Sequence, residues 1–423
     1  MKRALVVLLL LASFPLHAAV LHVVVDDMIH PITDEFIGRA LDEAGRTRAD
    51  VVILELRTPG GLMDSMRGIV EKIIKSPVPV VVWVGPSGAR AASAGFFVLE
   101  AADVAAMAPG TNTGAAHPVV FGQKLDEIMK MKMQNDAAAF MRSLAQRRGR
   151  NVAAAESGVR EAKSFTEDEA LSLKLIDVVA ADVPSLLRWA EGKRVKRFDG
   201  TTAVLHVRGK PVVRFEMTLK QRLLSGIMDP NVAFILFSLG MLALYAEFNH
   251  PGAILPGVVG LIAILLAVFA LNILPTRFAA VVLIAAAFAF FALEAKFTSY
   301  GILGTGGVIC LVFGALLLVD GPIPEMRVRL VTALAVSVPI GAIAVFLMTL
   351  VLRARANPVA TGTSAMIGQI GVARTSVAPD GKVFVRGELW NATSKQAIPE
   401  GAQVRVRGVE GLRVYVDAVE KQS

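Results

Sequence analysis

Three stretches of this chain carry residue types that can act together on a carbonyl group. GPSGARAASAG, residues 85–95, gives up side-chain bulk around Ser93 in a chain otherwise rich in Val, Leu and Ile. Small residues let backbone approach backbone, or let a substrate approach backbone. Within this stretch AASAG lies between an expected strand and an expected helix, so Ser93 stands exposed near a helix N-terminus. The N–H of the next residue, Ala94, is then free to stabilise an oxyanion. RTPGG, residues 57–61, follows another expected strand. Loops at the carboxyl ends of parallel strands are where ligand sites form, and two glycines there free backbone N–H groups to face a ligand. Taken alone, RTPGG reads as a plain strand-to-helix turn, and AASAG fits helix packing through small residues equally well.

A serine nucleophile needs a base. Histidine is the commonest, and lysine serves when desolvation brings its pKa toward neutrality. The third stretch, FGQKLDEIMKMKMQNDAAAFMRSLAQ, offers three lysines. Lys130 has Asp126, Glu127 and Gln134 as helical neighbours and reads as a solvated, ion-paired residue. Lys124 lies at the helix start, beside water. Lys132 has Ile128, Met129, Asn135, Asp136 and Ala139 around it. That face is expected to be the more buried one, which makes Lys132 the best base of the three. Asp136, one turn along, would raise its pKa if it pointed the same way. His22, His30, His206 and His250 are scattered and read as structural or surface residues. No metal and no cofactor is expected.

The elements that must position these residues follow from the apolar pattern. Residues 20–25 read as a continuous apolar run, residues 51–56 and 78–84 as a second and a third buried strand, residues 32–44 and 63–74 have helical spacing, and a helix is expected over 96–106. Val-rich strands alternating with helices predict a parallel sheet buried on both faces. Residues 200–228 hold two short strands and then TLKQRLLSGIM, a basic amphipathic segment suited to a membrane surface.

Beyond this the character changes. The 423 residues are 54% hydrophobic and 19% charged, and the mean hydropathy is +0.58. These values predict a membrane protein of two or three domains. The net charge of +8 is spread along the chain, with no basic arm for nucleic acid. A single cysteine, Cys310, excludes an intramolecular disulfide and a thiolate cluster. The start, MKRALVVLLLLASFPLHAAV, has the pattern of a secretory signal cleaved near Ala18 or Ala19. Uncharged runs cover 248–276, 278–293, 298–319 and 330–352. With 231–246 they make five expected crossings, four being the alternative. The run 278–293 gives about 24 Å of helix, short of a core of about 30 Å unless Arg277 and Lys296 snorkel. After the linker RARANPVATGTS, VFVRGELW, VRVRG and LRVYVDA alternate in the manner of a small β-barrel of the OB type. Trp390, Phe384 and Tyr415 are too few to stack bases, so a protein-contact module is expected there and no nucleic acid.

Together RTPGG, GPSGARAASAG and APGTNTGAAHP resemble the NfeD family, membrane-bound proteases whose peptidase domain is similar to the Clp protease peptidase subunit. The resemblance covers essentially the whole chain. It implies a signal peptide at 1–19, an α/β ClpP/crotonase-like protease domain at 20–200 and a membrane-proximal connector at 201–230. About five transmembrane helices over 231–352, a linker at 353–364 and an OB-like barrel at 365–423 complete it. It further implies a catalytic pair, Ser93 in the AASAG turn and Lys132 counted back from SLAQ, with an oxyanion hole from the backbone of Gly61 and Ala94. The rival in the same fold is a Ser–His–Asp triad. His117, 24 residues after Ser93, falls close to the triad histidine, but Lys163 or its neighbours hold the place of the Asp, ahead of SFTEDEA. A histidine without its orienting carboxylate loses tautomer control.

The expected function is therefore a membrane-bound serine endopeptidase cleaving hydrophobic segments of membrane-associated proteins. The resemblance implies a stomatin-like membrane protein as substrate or partner. A homo-oligomer in the bacterial inner membrane is expected, with the protease domain periplasmic and the barrel cytoplasmic. Two other classes stand beside it: a non-catalytic membrane scaffold, and a crotonase-type acyl-CoA enzyme. The latter would want carboxylates in its pocket, and the nearest acidic residue after Ser93 is Glu100.

Overall fold

A computed structural model of the chain describes residues 20–119, 126–249, 254–274, 276–297, 299–321, 326–356 and 365–419. The expected signal peptide, Lys124, His250 and most of the linker lie outside the described residues. The chain divides into two compact units, one of residues 1–293 with 302–341, the other of 294–301 with 342–423.

The first unit begins with the expected alternation. It runs β1 (Val20–Asp26), α1 (Pro31–Thr47), β2 (Val51–Arg57), α2 (Met63–Lys75), β3 (Val80–Val84), β4 (Arg90–Ala92), α3 (Ala94–Ala101), β5 (Val104–Met107) and β6 (Asn112–Gly114). Then come α4 (Glu127–Arg148), α5 (Val152–Arg160), β7 (Ser164–Thr166), α6 (Glu167–Ser172), β8 (Val178–Val179) and α7 (Val183–Ala190). Last are β9 (Arg194–Lys196), β10 (Thr202–Val204), β11 (Val212–Phe215) and α8 (Leu219–Ile227). Six strands form a parallel sheet in the order β11-β1-β2-β3-β5-β8. Alternate residues fill two cores. Val23, Leu54, Val80 and Val82 pack under helices on one face, and Ile53, Val81 and Trp83 join Leu186 and Ala190 on the other. This double burial is why the strands read as continuous apolar runs. β11 comes from the stretch read as connector, yet it pairs with β1 and closes one edge of the sheet.

The helix expected over 96–106 is two elements. α3 stops at Ala101, and Val104–Met107 turn into a central strand. Two arginines, Arg148 at the end of α4 and Arg150 just beyond it, cap the break. The Arg150 guanidinium donates to the carbonyls of Leu99 (3.1 Å), Glu100 (2.7 Å) and Ala102 (3.0 Å), and Arg148 donates to that of Ala101. Carbonyls left open at a helix end need such partners.

His30 has the structural role read for it. Its Nδ1 caps α1, accepting from the N–H groups of Ile32 (3.2 Å) and Thr33 (3.3 Å), while Pro31 opens the helix. α8 shows Leu219 and Leu223 to the outside, one turn apart, with Lys220 and Arg222 alongside. An outward apolar pair flanked by basic residues is the composition that suits a membrane surface. Its Gln221 turns inward and donates to Glu35 at 3.0 Å.

Five apolar helices follow: α9 (Pro230–Asn249), α10 (Leu255–Ile273), α11 (Phe278–Lys296), α12 (Ile302–Leu317) and α13 (Leu330–Ala356). The first two are long and apolar enough to cross a membrane; the apolar parts of the other three are shorter. Glycines set their spacing. A Cβ on Gly240 would lie 2.8 Å from the Gly260 carbonyl oxygen, and one on Gly314 would lie 2.6 Å from Ile284. Close backbone approach through small residues is how helices pack where lipid removes the hydrophobic drive. An antiparallel bridge between Thr276 and Val319 and an Arg277–Asp320 ion pair (2.8 Å) join the segment before α11 to the one after α12.

In the second unit β12 (Ile370–Ala373), β13 (Asp380–Val385), β14 (Glu388–Thr393), β15 (Gln403–Glu410) and β16 (Arg413–Ala418) close a barrel in the order β12-β13-β14-β16-β15. β14 and β16 run parallel and all other pairs antiparallel. This is the five-stranded OB architecture expected from the alternation. Val383, Val385, Ala392, Val404, Val406, Val414 and Val416 fill it.

Candidate active site

Ser93 sits where β4 meets α3, as the residue capping the helix N-terminus. Its backbone has φ 54° and ψ −114°. Positive φ is rare for a residue with a Cβ and costs about 1–3 kcal/mol, so the surrounding structure must impose it. The bonds that do so are in place. The Ser93 N–H donates to Gly114 O at 2.8 Å, Phe96 N–H returns to Ser93 O at 3.1 Å, and β4 is pinned to Thr58 at both Arg90 and Ala92. The strain presents the hydroxyl at a strand–turn–helix junction, the geometry of a nucleophile turn.

The missing bulk around Ser93 serves both readings raised by its sequence. A Cβ on Gly95 would lie 2.5 Å from Thr58 Cγ2, so Gly95 is there for packing. Gly60 is there for the site. Its φ is +119°, and a Cβ on it would lie 2.6 Å from the Ser93 Cβ. Gly61 is pressed against Ile29, whose N–H donates to Gly60 O and whose carbonyl accepts from Leu62 N–H, both at 2.8 Å. The Gly61 N–H takes no part in that exchange. Ala94 is the first residue of α3, so its N–H has no acceptor within the helix. Gly61, Ser93 and Ala94 all line one cavity of about 550 Å³. Its other walls are largely apolar: Leu62, Met63, Met66, Phe97, Ala116 and Val119.

His117 lines the same cavity, and its Nδ1 lies 3.2 Å from the carbonyl oxygen of Val159. A backbone carbonyl stands where a triad would have its carboxylate. Lys132 is elsewhere. It is exposed in the second turn of α4 and is not among the residues lining the cavity. The burial expected around it is corrected here. Ile128, Met129, Asn135, Asp136 and Ala139 are all exposed, and α4 buries only from Ala137 onward, through Ala138, Met141, Leu144 and Ala145. The first turns lie at the edge of the domain, where Gln134 donates to the Arg160 carbonyl at 2.9 Å and Arg160 donates to Asn135 at 2.9 Å, contacts that leave Lys132 exposed. Asp136 does not point at Lys132 but pairs with Arg67, whose guanidinium also lies 4.5 Å from the Phe140 ring. Lys130 is exposed and paired with Glu127 at 2.6 Å, as its neighbours predicted.

Glu100 lies inside α3, fully buried and away from the cavity. Burial pushes its carboxyl up to about 7, against the pull of Arg150, whose Nη1 is 3.6 Å from Oε2. No Asp or Glu is among the described residues lining the cavity, so the carboxylate that acyl-CoA chemistry calls for is missing there. No group of three or more His, Cys, Asp or Glu able to hold a metal occurs among the described residues.

Three contributors to the site escape residue-by-residue reading. Gly114 fixes Ser93 through its carbonyl, with φ +112° and a Cβ position only 2.3 Å from Lys163 O. Asn112, Ala115 and Ala116 form a wall of the cavity. Their signal is TNTGAAHP, small and turn-forming, which carries no chemistry on its own. Met326 also lines the cavity and has no local signal at all.

Family comparisons agree with this architecture. Residues 19–201 match the N-terminal domain of NfeD1b, residues 231–350 the NfeD integral membrane domain, and residues 363–417 the NfeD-like C-terminal, partner-binding domain. The membrane-bound protease PH1510 of Pyrococcus horikoshii is 35% identical, covering 99% of this chain and 98% of its own. The chain belongs to the NfeD family. A second NfeD relative, membrane protein NfeD1b of Bacillus subtilis, is 29% identical over 90% of this chain and 88% of its own. Among solved structures, the 1510-N membrane-bound stomatin-specific protease, as a lysine-to-alanine mutant with a substrate peptide, is 33% identical. It covers 49% of the NfeD chain described here and 96% of its own, with a TM-score of 0.46.

Proposed function

We propose that this chain is a membrane-bound serine endopeptidase that cleaves hydrophobic segments of membrane-associated proteins. The observation that carries this is Ser93, held at positive φ on the wall of an apolar cavity with the Gly61 and Ala94 backbone beside it. Ser93 Oγ attacks the scissile carbonyl and gives its proton to the base. The N–H groups of Gly61 and Ala94 stabilise the tetrahedral oxyanion. The C–N bond breaks, the amine leaves with the proton held by the base, and water releases the acyl-enzyme. The 35% identity to a membrane-bound protease along the full chain supports the same activity.

The base is Lys132. The motif spacing supports it, and Ile128, Met129 and Met131 beside it, 60%, 44% and 53% exposed, are apolar surface that a bound hydrophobic segment would cover together with it. The second reading, a Ser–His pair, is favoured by one observation: His117 already lines the cavity.

A stomatin-like membrane protein is the partner, engaged through the barrel, whose family model is described as partner-binding. The signal pattern at 1–19 and the five apolar helices among the described residues support a protease domain outside the inner membrane and a barrel in the cytoplasm. Labelling of the full chain by a fluorophosphonate serine probe, lost in Ser93→Ala, is the expected result. Equal labelling of both proteins, or of neither, defeats the peptidase reading and leaves the scaffold.

A further inference from the structure

The cavity around Ser93 has a wall that the protease domain does not supply. Met326 lies in the segment between α12 and α13, in the membrane region, yet it lines this cavity with Met63, Met66 and Phe97. It is 5% exposed. It also lines a smaller cavity behind the Gly61 turn, with Ile29, Leu62, Met228 and Leu274. One side chain of the membrane region thus touches both the substrate space and the backing of the turn that carries Gly61.

The placement is held from the membrane side. A Cβ on Gly321 would lie 2.4 Å from the Met326 Cβ, so only glycine fits beside Met326 there. Arg327 Nε donates to the Gly321 carbonyl at 2.6 Å. The Arg329 N–H donates to Asn231 Oδ1 at 2.9 Å, tying the segment to the start of α9. Val328 beside it is buried. At the other end, the Thr276–Val319 bridge and the Arg277–Asp320 ion pair fix where the segment leaves α12.

We propose that Met326 is a specificity-determining residue of the Ser93 site, contributed by the membrane region. It closes the apolar wall that receives a substrate side chain and so limits the size of that side chain. Methionine suits the role, since an unbranched thioether fills an irregular apolar gap and adapts to its occupant. The membrane region is then part of the peptidase and not only its anchor. This inference rests on the peptidase reading above.

The test uses the full-length chain in detergent micelles or bilayer discs. Fluorogenic peptides differ only in the residue beside the scissile bond: Ala, Leu or Phe. Active enzyme is counted with the serine probe, so a poorly folded variant does not pass for a slow one. Met326→Ala is expected to raise the kcat/KM ratio of Phe over Ala peptides by about tenfold, and Met326→Phe to lower it by about as much, in line with the discrimination that apolar pockets achieve. An unchanged ratio in both variants overturns the inference, as does an equal loss on all three peptides, which marks a merely supporting contact. Wild-type chain that neither cleaves nor labels at Ser93 overturns the peptidase reading itself, and this inference with it.

Discussion

The turn at Ser93 and the first turns of α4 are the two halves of the proposed catalytic pair, and they are built in opposite ways. Around Ser93 the backbone is over-determined. β4 is pinned by Thr58, the Ser93 N–H by Gly114, and the Gly60–Gly61 turn by Ile29. Around Lys132 the contacts are made by surface side chains, Gln134 and Asn135 with Arg160 and Asp136 with Arg67, and the apolar residues that could bury it face outward. The contrast teaches that strain needs support and a base needs only proximity at the moment of reaction. A serine at φ 54° persists only in a rigid frame. A lysine works as a base when an apolar cover removes its water, so it can wait outside until the cover forms.

The sharpest way to break the comparison is at the rigid half. Ser93→Ala should abolish peptide cleavage, on the order of 10⁶-fold. Gly60→Ala should come close without touching the nucleophile. Its Cβ would meet the Ser93 Cβ at 2.6 Å and its φ of +119° disfavours a side chain. Both probe labelling and thermal stability should fall, the latter by about 1–3 kcal/mol. A labelled, active Gly60→Ala would show that the frame is looser than described.

The exposed half is tested next. Lys132→Ala should lower kcat by about 10³-fold or more, because nucleophile and base act as a unit. His117→Ala should keep most activity, while Lys130→Ala should be nearly neutral, as an exposed helix pair contributes only about 0.3–0.5 kcal/mol. Cleavage rates of the variants, taken per correctly folded enzyme, separate the bases. A dead His117→Ala beside an active Lys132→Ala would replace the dyad with a Ser–His pair.

A smaller effect probes how the rigid half is supported. Glu100 titrates near 7 when folded and near 4.5 when unfolded. Its folded pKa is raised, so the native state binds the proton more tightly. The stability this provides is full below about 4.5 and is lost as pH rises through about 7. The cost of the ionised carboxyl at higher pH is on the order of 3 kcal/mol, with the attraction of Arg150 already counted in it. Glu100→Gln should therefore stabilise the chain at pH 8 and do little at pH 5. Denaturant midpoints at the two values check it, and a larger gain at the lower pH would reverse the sign of the argument.

Much of this was legible along the chain because local pattern encodes local geometry. Continuous Val-rich runs at 51–56 and 78–84 are buried parallel strands, since both faces of such a sheet are covered. The alternation in LRVYVDA is a barrel strand, with Val414 and Val416 inside and Tyr415 outside. Glycine and alanine around Ser93 announce close approach, whichever kind it is. Uncharged length announces helices for a membrane.

What local pattern cannot carry is the partner that arrives from far away. The end of α3 at Ala101 is capped by Arg148 and Arg150, some fifty residues on, and an apolar run gives no sign of where its carbonyls will be capped. β11 joins β1 across nearly the whole domain. The exposure of Lys132 depends on whether any element reaches the first turns of α4, which helical spacing does not state. Met326 enters the Ser93 cavity only because the membrane helices bring their connecting segment against it. Residue type and spacing determined which chemistry this chain could hold. Tertiary packing alone decided which side chains meet at Ser93, because burial is a property of the neighbours a residue finds and not of the residues beside it in the chain.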